Sequence, residues 1–225
     1  MGDLIFNFGV ILKLLLIFLV TMLVTLVIHE VGHYLAAKLL KIPVNKFVLG
    51  GGKKIFSFRF KETEFILSKL LIYGYVNFTC ELNTFQGLVI SFSGPFCNLI
   101  IGALSYYLAF ESSQVYSSDS LSNTILILKF NFLNIVGIFQ TDYSFAFKGL
   151  TFSTSILFAL GFFNFLTFFS NLVPFSIWDG KSVLINLLKL TFRKKKELID
   201  KYQDQIGLFV IGIYISIFFK NFFHL

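Results

Sequence analysis

The strongest chemical signal in the sequence is the segment His-Glu-Val-Gly-His at residues 29–33. If the segment is helical, His29 and His33 lie on one face, because residues four positions apart are about one turn apart. Two imidazoles on one face can bind the same metal ion, and neutral imidazole is a common ligand of zinc. Glu30 lies beside them and can accept a proton from a water molecule that the metal polarises. The segment predicts one catalytic zinc ion with Glu30 as the general base.

A catalytic zinc ion needs a third protein ligand, and Asp179 is the best candidate. His224 lies at the carboxyl end, and Glu62 and Glu64 lie among basic residues with which ion pairs are expected. Asp179 instead follows a long apolar run that Pro174 breaks. If that run lies in a membrane, irregular backbone at this depth is tolerated where it lines a wet cavity. We therefore predict that Asp179 is the third ligand. An ordinary Asp-Gly turn at a helix end is the alternative.

The segments that must position these residues are long and apolar. Of the 225 residues, 56% are hydrophobic and 14% are charged, whereas about 25% are charged in soluble globular domains. A helix that crosses hydrocarbon needs about 20 largely apolar residues. Four runs approach this length, at residues 10–40, 85–110, 151–173 and 206–220. They predict an all-α, multi-pass protein in a lipid bilayer. The first run has no signal-peptide features and is expected to be retained.

The net charge of +7 is distributed unevenly along the chain. Lysine and arginine concentrate between the first and second runs and between the third and fourth, so the positive-inside rule places both loops in the cytoplasm. This pattern favours membrane orientation over nucleic-acid binding. Both termini and an external segment at 111–150 are then predicted outside, with the active site facing the cytoplasmic side. Residues 125–139 are apolar but short, and whether they cross, re-enter or lie on the membrane stays open.

The two basic loops differ in pattern. Residues 44–79 alternate apolar and polar side chains around turn glycines, which predicts a small β-hairpin or sheet at the cytoplasmic membrane surface. Residues 174–205 are predicted to be the Asp-Gly segment followed by a basic loop. The whole chain is interpreted as a single domain. Its two cysteines exclude a disulfide framework and a cysteine-rich metal site.

The order of these motifs resembles the site-2 protease family of intramembrane zinc metalloproteases, in a minimal form without appended PDZ or CBS domains. Ile-Tyr-Gly-Tyr-Val at 72–76 is similar to the end of the family's strand segment, Pro-x-Gly-Gly-Tyr-Val. Two further patterns match the family's spacing: Gly94-Pro95-x-x-Asn98, and Asn171-x-x-Pro174-x-x-x-x-Asp179-Gly180. The resemblance covers most of residues 25–184. Tyr73 and Lys181 stand where the family has glycines, which affects the expected shape of the substrate groove.

This resemblance implies a three-helix catalytic core and zinc bound by His29, His33 and Asp179. It implies hydrolysis of a peptide bond within or near a transmembrane segment of a membrane protein substrate. It also implies roles in substrate binding for four further residues: Asn171, Gly74, Tyr75 and Val76. A helical substrate has its backbone hydrogen bonds committed, so it must be extended before a strand edge can pair with it. Small residues such as Gly94 are expected to allow close helix packing, and Asn98 is expected to bond across helices. Structural roles are thus expected for all the remaining motif residues: Gly94, Pro95, Asn98, Pro174 and Gly180.

Two other functions account for part of the pattern. A zincin with a soluble catalytic domain would take a third ligand from a glutamate on a following soluble helix, and no suitable glutamate follows His33. A membrane metal carrier, or a non-catalytic protein that binds transmembrane helices, is the second alternative. A carrier needs further ionisable groups along its path, and the other apolar runs contain few. No segment is long enough to recognise a partner alone, which is compatible with a regulatory membrane partner.

Overall fold

The computed structural model describes residues 2–112, 119–135, 151–175 and 178–223. Within these residues the chain is mostly helical and contains one small antiparallel sheet. In chain order the elements are α1 Gly2–Leu39, β1 Val44–Phe60, β2 Thr63–Phe78, α2 Thr84–Glu111, α3 Ser120–Ile135, α4 Phe152–Leu172, α5 Asp179–Thr191, a 3-10 turn Arg193–Lys195, α6 Lys196–Lys201 and α7 Gln203–Phe223.

Helix α1 directs one row of polar side chains inward. Thr21, Thr25, His29 and His33 follow one another at intervals of four residues, and all four are buried. That interval keeps them on one face of the helix. Large apolar side chains between residues 11 and 24 are exposed on the other faces. This is the reverse of an amphipathic helix in a soluble protein, and it suits a helix surrounded by hydrocarbon.

Among the residues that the structure describes, four helices are long and apolar enough to cross a membrane. The qualifying segments are Ile11–Leu39, Thr84–Glu111, Phe152–Leu172 and Gln203–Asn221. They coincide with the four apolar runs of the sequence, so the prediction of a mainly helical chain with four candidate spans is confirmed. Three of these helices begin earlier than predicted, α1 at Gly2, α7 at Gln203 and α2, by one residue, at Thr84.

Part of the segment at residues 125–139 is described by the structure. Residues 125–135 belong to α3, whose described part packs against α2 and α4. Ile127 of this helix packs in a buried cluster with Phe110 and Phe158, and Asn131 Nδ2 donates to the Tyr106 hydroxyl at 2.8 Å. Residues 136–139, like His224, lie outside the described residues. How this segment lies relative to the membrane stays an open question.

The predicted hairpin is confirmed as β1 and β2, which are joined at residues 61–62. The register shifts at glycines 50–52, so residues 46–49 of β1 pair both with 64–67 and with 74–77 of β2. In the described pairings, residues 74–78 have β1 on one side only and therefore form an edge. Phe47 is buried against Tyr34 of α1, with ring centroids 5.8 Å apart. This contact anchors the base of the hairpin to α1.

The segment predicted as a basic loop contains helices. Asp179 is the first residue of α5, and α6 follows after the 3-10 turn. Ile185 is buried on α5, and the basic cluster at residues 193–196 follows this helix. The prediction of a loop gave weight to that cluster and overlooked the aliphatic residues of α5. The Asp-Gly pair lies at the start of a helix, which contradicts the alternative of a turn that ends one.

Candidate metal centre

Three side chains from two helices meet at one point. His29 and His33 project from α1, and Asp179 projects from the first turn of α5. Asp179 Oδ2 lies 2.9 Å from His29 Nε2 and 3.2 Å from His33 Nε2. The two Nε2 atoms are 3.1 Å apart. The structure therefore brings together the three residues that the sequence predicted as metal ligands.

The other nitrogen of each imidazole is bound to a hydrogen-bond acceptor. His33 Nδ1 lies 2.7 Å from the backbone oxygen of Ile90, and His29 Nδ1 lies 2.7 Å from Asn98 Oδ1. A carbonyl oxygen can only accept, so each neutral ring carries its proton on Nδ1 and leaves a lone pair on Nε2. Contacts of this kind fix the orientation and tautomer of histidines that bind metals.

The three converging atoms fit a divalent cation such as zinc. With both protons on Nδ1, two nitrogen lone pairs and a carboxylate oxygen point at the same space, which is favourable only if a positive charge lies between them. Ligands about 2.0–2.1 Å from a tetrahedral zinc ion are about 3.3 Å from one another. The observed separations of 2.9, 3.1 and 3.2 Å are close to that value. Within the described residues, buried Asp179 Oδ2 has no hydrogen-bond partner.

The charge of Asp179 is also suitable for a metal ligand. Burial opposes ionisation of this carboxyl group, so its carboxylate form needs a positive charge beside it. With both imidazole protons on Nδ1, a bound cation would supply that charge. A metal ligand must be deprotonated in this way.

Glu30 and two glycines complete the immediate surroundings. Glu30 is 4% exposed, and a Cβ atom added at Gly74 would lie 2.6 Å from its Cγ. A Cβ atom added at Gly94 would lie 2.4 Å from His33 Nε2. Both distances are below van der Waals contact, so only glycine leaves room at these positions. Gly94 was predicted to serve helix packing, and the structure shows that it also makes room for the imidazole.

A cavity of about 1070 Å³ opens beside these residues. It is lined by residues 71–76 of β2, including Gly74, Tyr75 and Val76, and also by Asn171 and Trp178. Asn171 Nδ2 donates to the Thr167 backbone oxygen of its own helix at 3.0 Å. The residues predicted to bind substrate are thus placed along one cavity that contains the metal-binding atoms.

The remaining motif residues are buried at the helix contacts around the site. Pro95 lies inside α2 and Asn98 lies one turn later, and both are fully buried. Pro174 is buried just beyond the end of α4. A Cβ atom added at Gly180 would lie 2.4 Å from the Leu172 oxygen, so glycine lets α5 begin in contact with the end of α4. These positions are consistent with the structural roles predicted for them.

Sequence reasoning missed Thr25 and Asn164, which lie next to the site. Both contact Asn98, which was predicted to bond across helices without named partners. The structure gives its partners as His29, the Thr25 backbone oxygen and Asn164. Asn164 Nδ2 in turn donates to Thr25 Oγ1 at 3.0 Å. The spacing of Thr25 one turn before His29 was a usable signal. Asn164 lies in an apolar run without any motif around it, and only the fold reveals its neighbours.

Comparison with known proteins agrees with this geometry. The family model described as Peptidase family M50 matches residues 17–214. A protein of Borreliella burgdorferi named "Putative zinc metalloprotease" is 33% identical over 119 residues, which is 52% of this chain and 27% of that protein. Proteins with the same description from Fusobacterium nucleatum and Campylobacter jejuni are 31% identical over 100 residues and 34% identical over 109 residues.

The matched regions cover 39% and 40% of this chain and 29% and 30% of the Fusobacterium and Campylobacter proteins. The chain therefore spans less than a third of the length of these relatives. The family model, in contrast, covers more than half of the 225 residues. It confirms the family that the order of the sequence motifs predicted. The chain belongs to peptidase family M50, the site-2 protease family.

Proposed function

We propose that this chain is a zinc-dependent endopeptidase that hydrolyses a peptide bond within or near a transmembrane segment of a membrane protein. One observation carries the proposal: three metal-binding atoms converge beside Glu30 on a helix that is long and apolar enough to cross a membrane. The family and the names of its relatives support zinc as the cofactor and peptide hydrolysis as the reaction.

The chemistry follows from the four polar side chains. His29, His33 and Asp179 would hold zinc through Nε2, Nε2 and Oδ2. When bound, zinc acts as a Lewis acid towards the substrate carbonyl and lowers the pKa of water. Glu30 accepts a proton from the attacking water and later donates it to the leaving amine. Its Oε2 is buried without a hydrogen-bond partner among the described residues, which leaves that atom available to bind water. No covalent bond forms between enzyme and substrate.

The edge of β2 supports an extended substrate. Residues 74–78 pair with β1 on one side, and Gly74 lies directly against Glu30. A substrate segment that added to this edge would exchange its own helical hydrogen bonds for bonds to β2, which offsets the loss of helix in an apolar environment. Tyr75 and Val76 would contact it along the strand. Asn171, which also lines the cavity, would donate to or accept from the substrate backbone.

The membrane supplies the remaining part of the proposal. Helices α1, α2 and α4 contact one another in pairs, and we assign them as the three-helix catalytic core. The basic residues of the hairpin and of the segment around α5 and α6 support a site that faces the cytoplasm, with both termini outside. The partners are then the lipid bilayer, a transmembrane substrate and a regulatory membrane protein, with no role for nucleic acid.

Replacement of Glu30 by glutamine tests the proposal. Membranes that contain the native chain are compared with membranes that contain Glu30→Gln by quantitative proteomics of single-pass proteins and their fragments. Glu62→Gln, the same change at an exposed carboxylate in the hairpin turn, is the matched control. We expect Glu30→Gln to retain zinc and lose cleavage, so that at least one membrane protein accumulates uncleaved, while the control behaves as the native chain does.

Two results would contradict the proposal. The first is unchanged cleavage in the Glu30→Gln membranes. The second is a zinc flux into proteoliposomes that both the native chain and Glu30→Gln support, because a carrier needs the ligands but not a general base. The flux measurement therefore separates the enzyme from the metal carrier that the sequence left as an alternative.

A further inference from the structure

A buried amide lies in α4, a core helix that provides no metal ligand. Asn164 is near the middle of α4, and its side chain is fully buried, with 0% exposed. An amide in an apolar span is unfavourable unless its donors and acceptor are all bound. In most membrane proteins such a residue joins helices by hydrogen bonds. Asn164 does this at a particular place, two hydrogen bonds away from a proposed metal ligand.

The contacts of Asn164 have only one arrangement of donors and acceptors. Its Nδ2 lies 2.9 Å from the Leu160 backbone oxygen, which can only accept. The amino group also donates to Thr25 Oγ1 at 3.0 Å, so Oδ1 is the atom that faces Asn98. Asn98 Nδ2 donates to this Oδ1 at 2.7 Å. The orientation of the Asn164 amide is therefore set by a backbone carbonyl group.

The same logic extends to His29. Asn98 Nδ2 donates to Asn164 Oδ1 and, at 3.2 Å, to the Thr25 backbone oxygen, which again can only accept. Both N–H groups of the Asn98 amide point towards these two acceptors, so Asn98 Oδ1 faces His29 Nδ1. A proton on Nδ1 then leaves the Nε2 lone pair free for a metal ion.

The two histidines differ in how firmly this tautomer is held. The acceptor for His33 is the backbone oxygen of Ile90, which cannot rotate. The acceptor for His29 is a side-chain amide, which by rotating through half a turn would present an amino group to Nδ1. That rotation would favour the opposite tautomer and place a proton on Nε2, the atom that must bind metal. His29 therefore needs a further contact that fixes the orientation of its acceptor, and His33 does not.

We infer that Asn164 is a positioning residue of the metal centre: together with the longer contact to the Thr25 backbone oxygen, it holds the Asn98 amide in the orientation that keeps the proton of His29 on Nδ1. The inference deepens the proposed function and rests on it, because the tautomer of His29 matters for catalysis only if His29 binds zinc. The tautomer of His29, however, can be measured without zinc and without any substrate. Failure of the protease assignment and failure of this inference are therefore distinguishable.

Two nearly isosteric replacements test the inference. Asn164→Leu removes the acceptor for Asn98 but fills the same space with an apolar side chain. Asn164→Asp, neutral when buried, keeps an acceptor for Asn98 and one donor for the Leu160 oxygen. A positioning role predicts that Asp preserves the site better than Leu does. A role in packing alone predicts the reverse order, because leucine is more favourable than a carboxyl group in an apolar span.

The measurements are the ¹⁵N spectrum of the histidine rings in metal-free protein and the zinc dissociation constant. The chain has three histidines, so single His→Gln variants assign the signals. We expect Asn164→Leu to shift His29 towards the Nε2-protonated form and to weaken zinc binding about tenfold, the lower end of the range for loss of a residue that orients a metal ligand. Asn164→Asp should keep the native tautomer and bind zinc more tightly than the Leu variant.

Ser105→Ala is the matched control, because Ser105 is also buried in a span but bonds only the Ile101 oxygen of its own helix among the described contacts. It should leave both measurements unchanged. An unchanged His29 tautomer and zinc affinity in Asn164→Leu would overturn the inference, whatever the activity of the enzyme. If the Leu variant does not fold, Asn164→Ala removes the same amide. The same changes in His29 tautomer and zinc affinity are then expected, and their absence would overturn the inference.

Discussion

The helices around the metal centre and the outer part of the hairpin bury opposite kinds of residue. In the helices, polar side chains such as His29, Asn98 and Asn164 are buried, and apolar side chains cover the outside. In the hairpin, Phe56 and Phe58 are more than half exposed and lie among lysines and an arginine. The first arrangement suits hydrocarbon, which cannot bind polar groups. The second suits the region between hydrocarbon and water, where aromatic and basic side chains are both favourable.

This difference shows which parts of the chain constrain their polar side chains. A buried polar group in a span must be bound by another part of the protein, so every polar contact there fixes a neighbour. The hairpin faces no such requirement and can vary in sequence while its base stays anchored through Phe47 and Tyr34. Gly74 lies where the two regions meet, against Glu30. The comparison can be tested in the helices, at the junction and in the hairpin.

The largest effect is expected from the loss of a metal ligand. Asp179→Ala removes the oxygen that meets both imidazoles. Zinc affinity should fall by more than about 100-fold, beyond the range for residues that only orient a ligand. Zinc content after dialysis against a chelator measures this. Asp204→Ala, which removes an exposed carboxylate paired with Lys181, is the control and should retain zinc. Equal zinc content in both variants would remove Asp179 from the ligand set.

A smaller effect is expected at the junction of the two regions. Gly74→Ala places a methyl group 2.6 Å from the Glu30 side chain, so either β2 or Glu30 must move. A displacement of about 1 Å at a catalytic group can reduce the rate about 100-fold. Cleavage should therefore fall by one to two orders of magnitude while zinc stays bound.

Gly212→Ala is the control for that change, because a methyl group there has no described atom within 4 Å. It should leave cleavage unaltered. A Gly74→Ala variant with native cleavage would show that the edge of β2 does not constrain Glu30, and the hairpin would then be independent of the catalytic site.

The sequence predicted which residues form the site better than it predicted the hydrogen bonds between them. The spacing of His29 and His33 places both on one face of any helix, and the break at Pro174 after an apolar run singled out Asp179. Helix spacing and apolar length are local properties, so they can be read from a single sequence. The partner of Asn164 depends on how α4 packs against α1 and α2, and no local pattern encodes that packing. Helix α5 was predicted as part of a basic loop for a different reason: the basic cluster at residues 193–196 lies beyond it, and its own aliphatic residues were overlooked.

The smallest effect is expected in the hairpin, from the ion pair between Lys54 and Glu64. The hydrogen bond that Lys54 Nζ donates to Glu64 Oε1 at 2.9 Å lowers the pKa of that carboxyl group. A lowered pKa means that the pair stabilises the folded state above the ordinary pKa of glutamate and loses this contribution as the pH falls through the folded-state pKa. Lys54→Met should return the pKa of Glu64 towards its ordinary value, as measured by NMR titration. Added salt should have the same effect in the native chain, because a solvated pair is screened. A pKa of Glu64 above the ordinary value in Lys54→Met would mean that the outer hairpin is surrounded by apolar material, and the contrast between hairpin and helices would then be wrong.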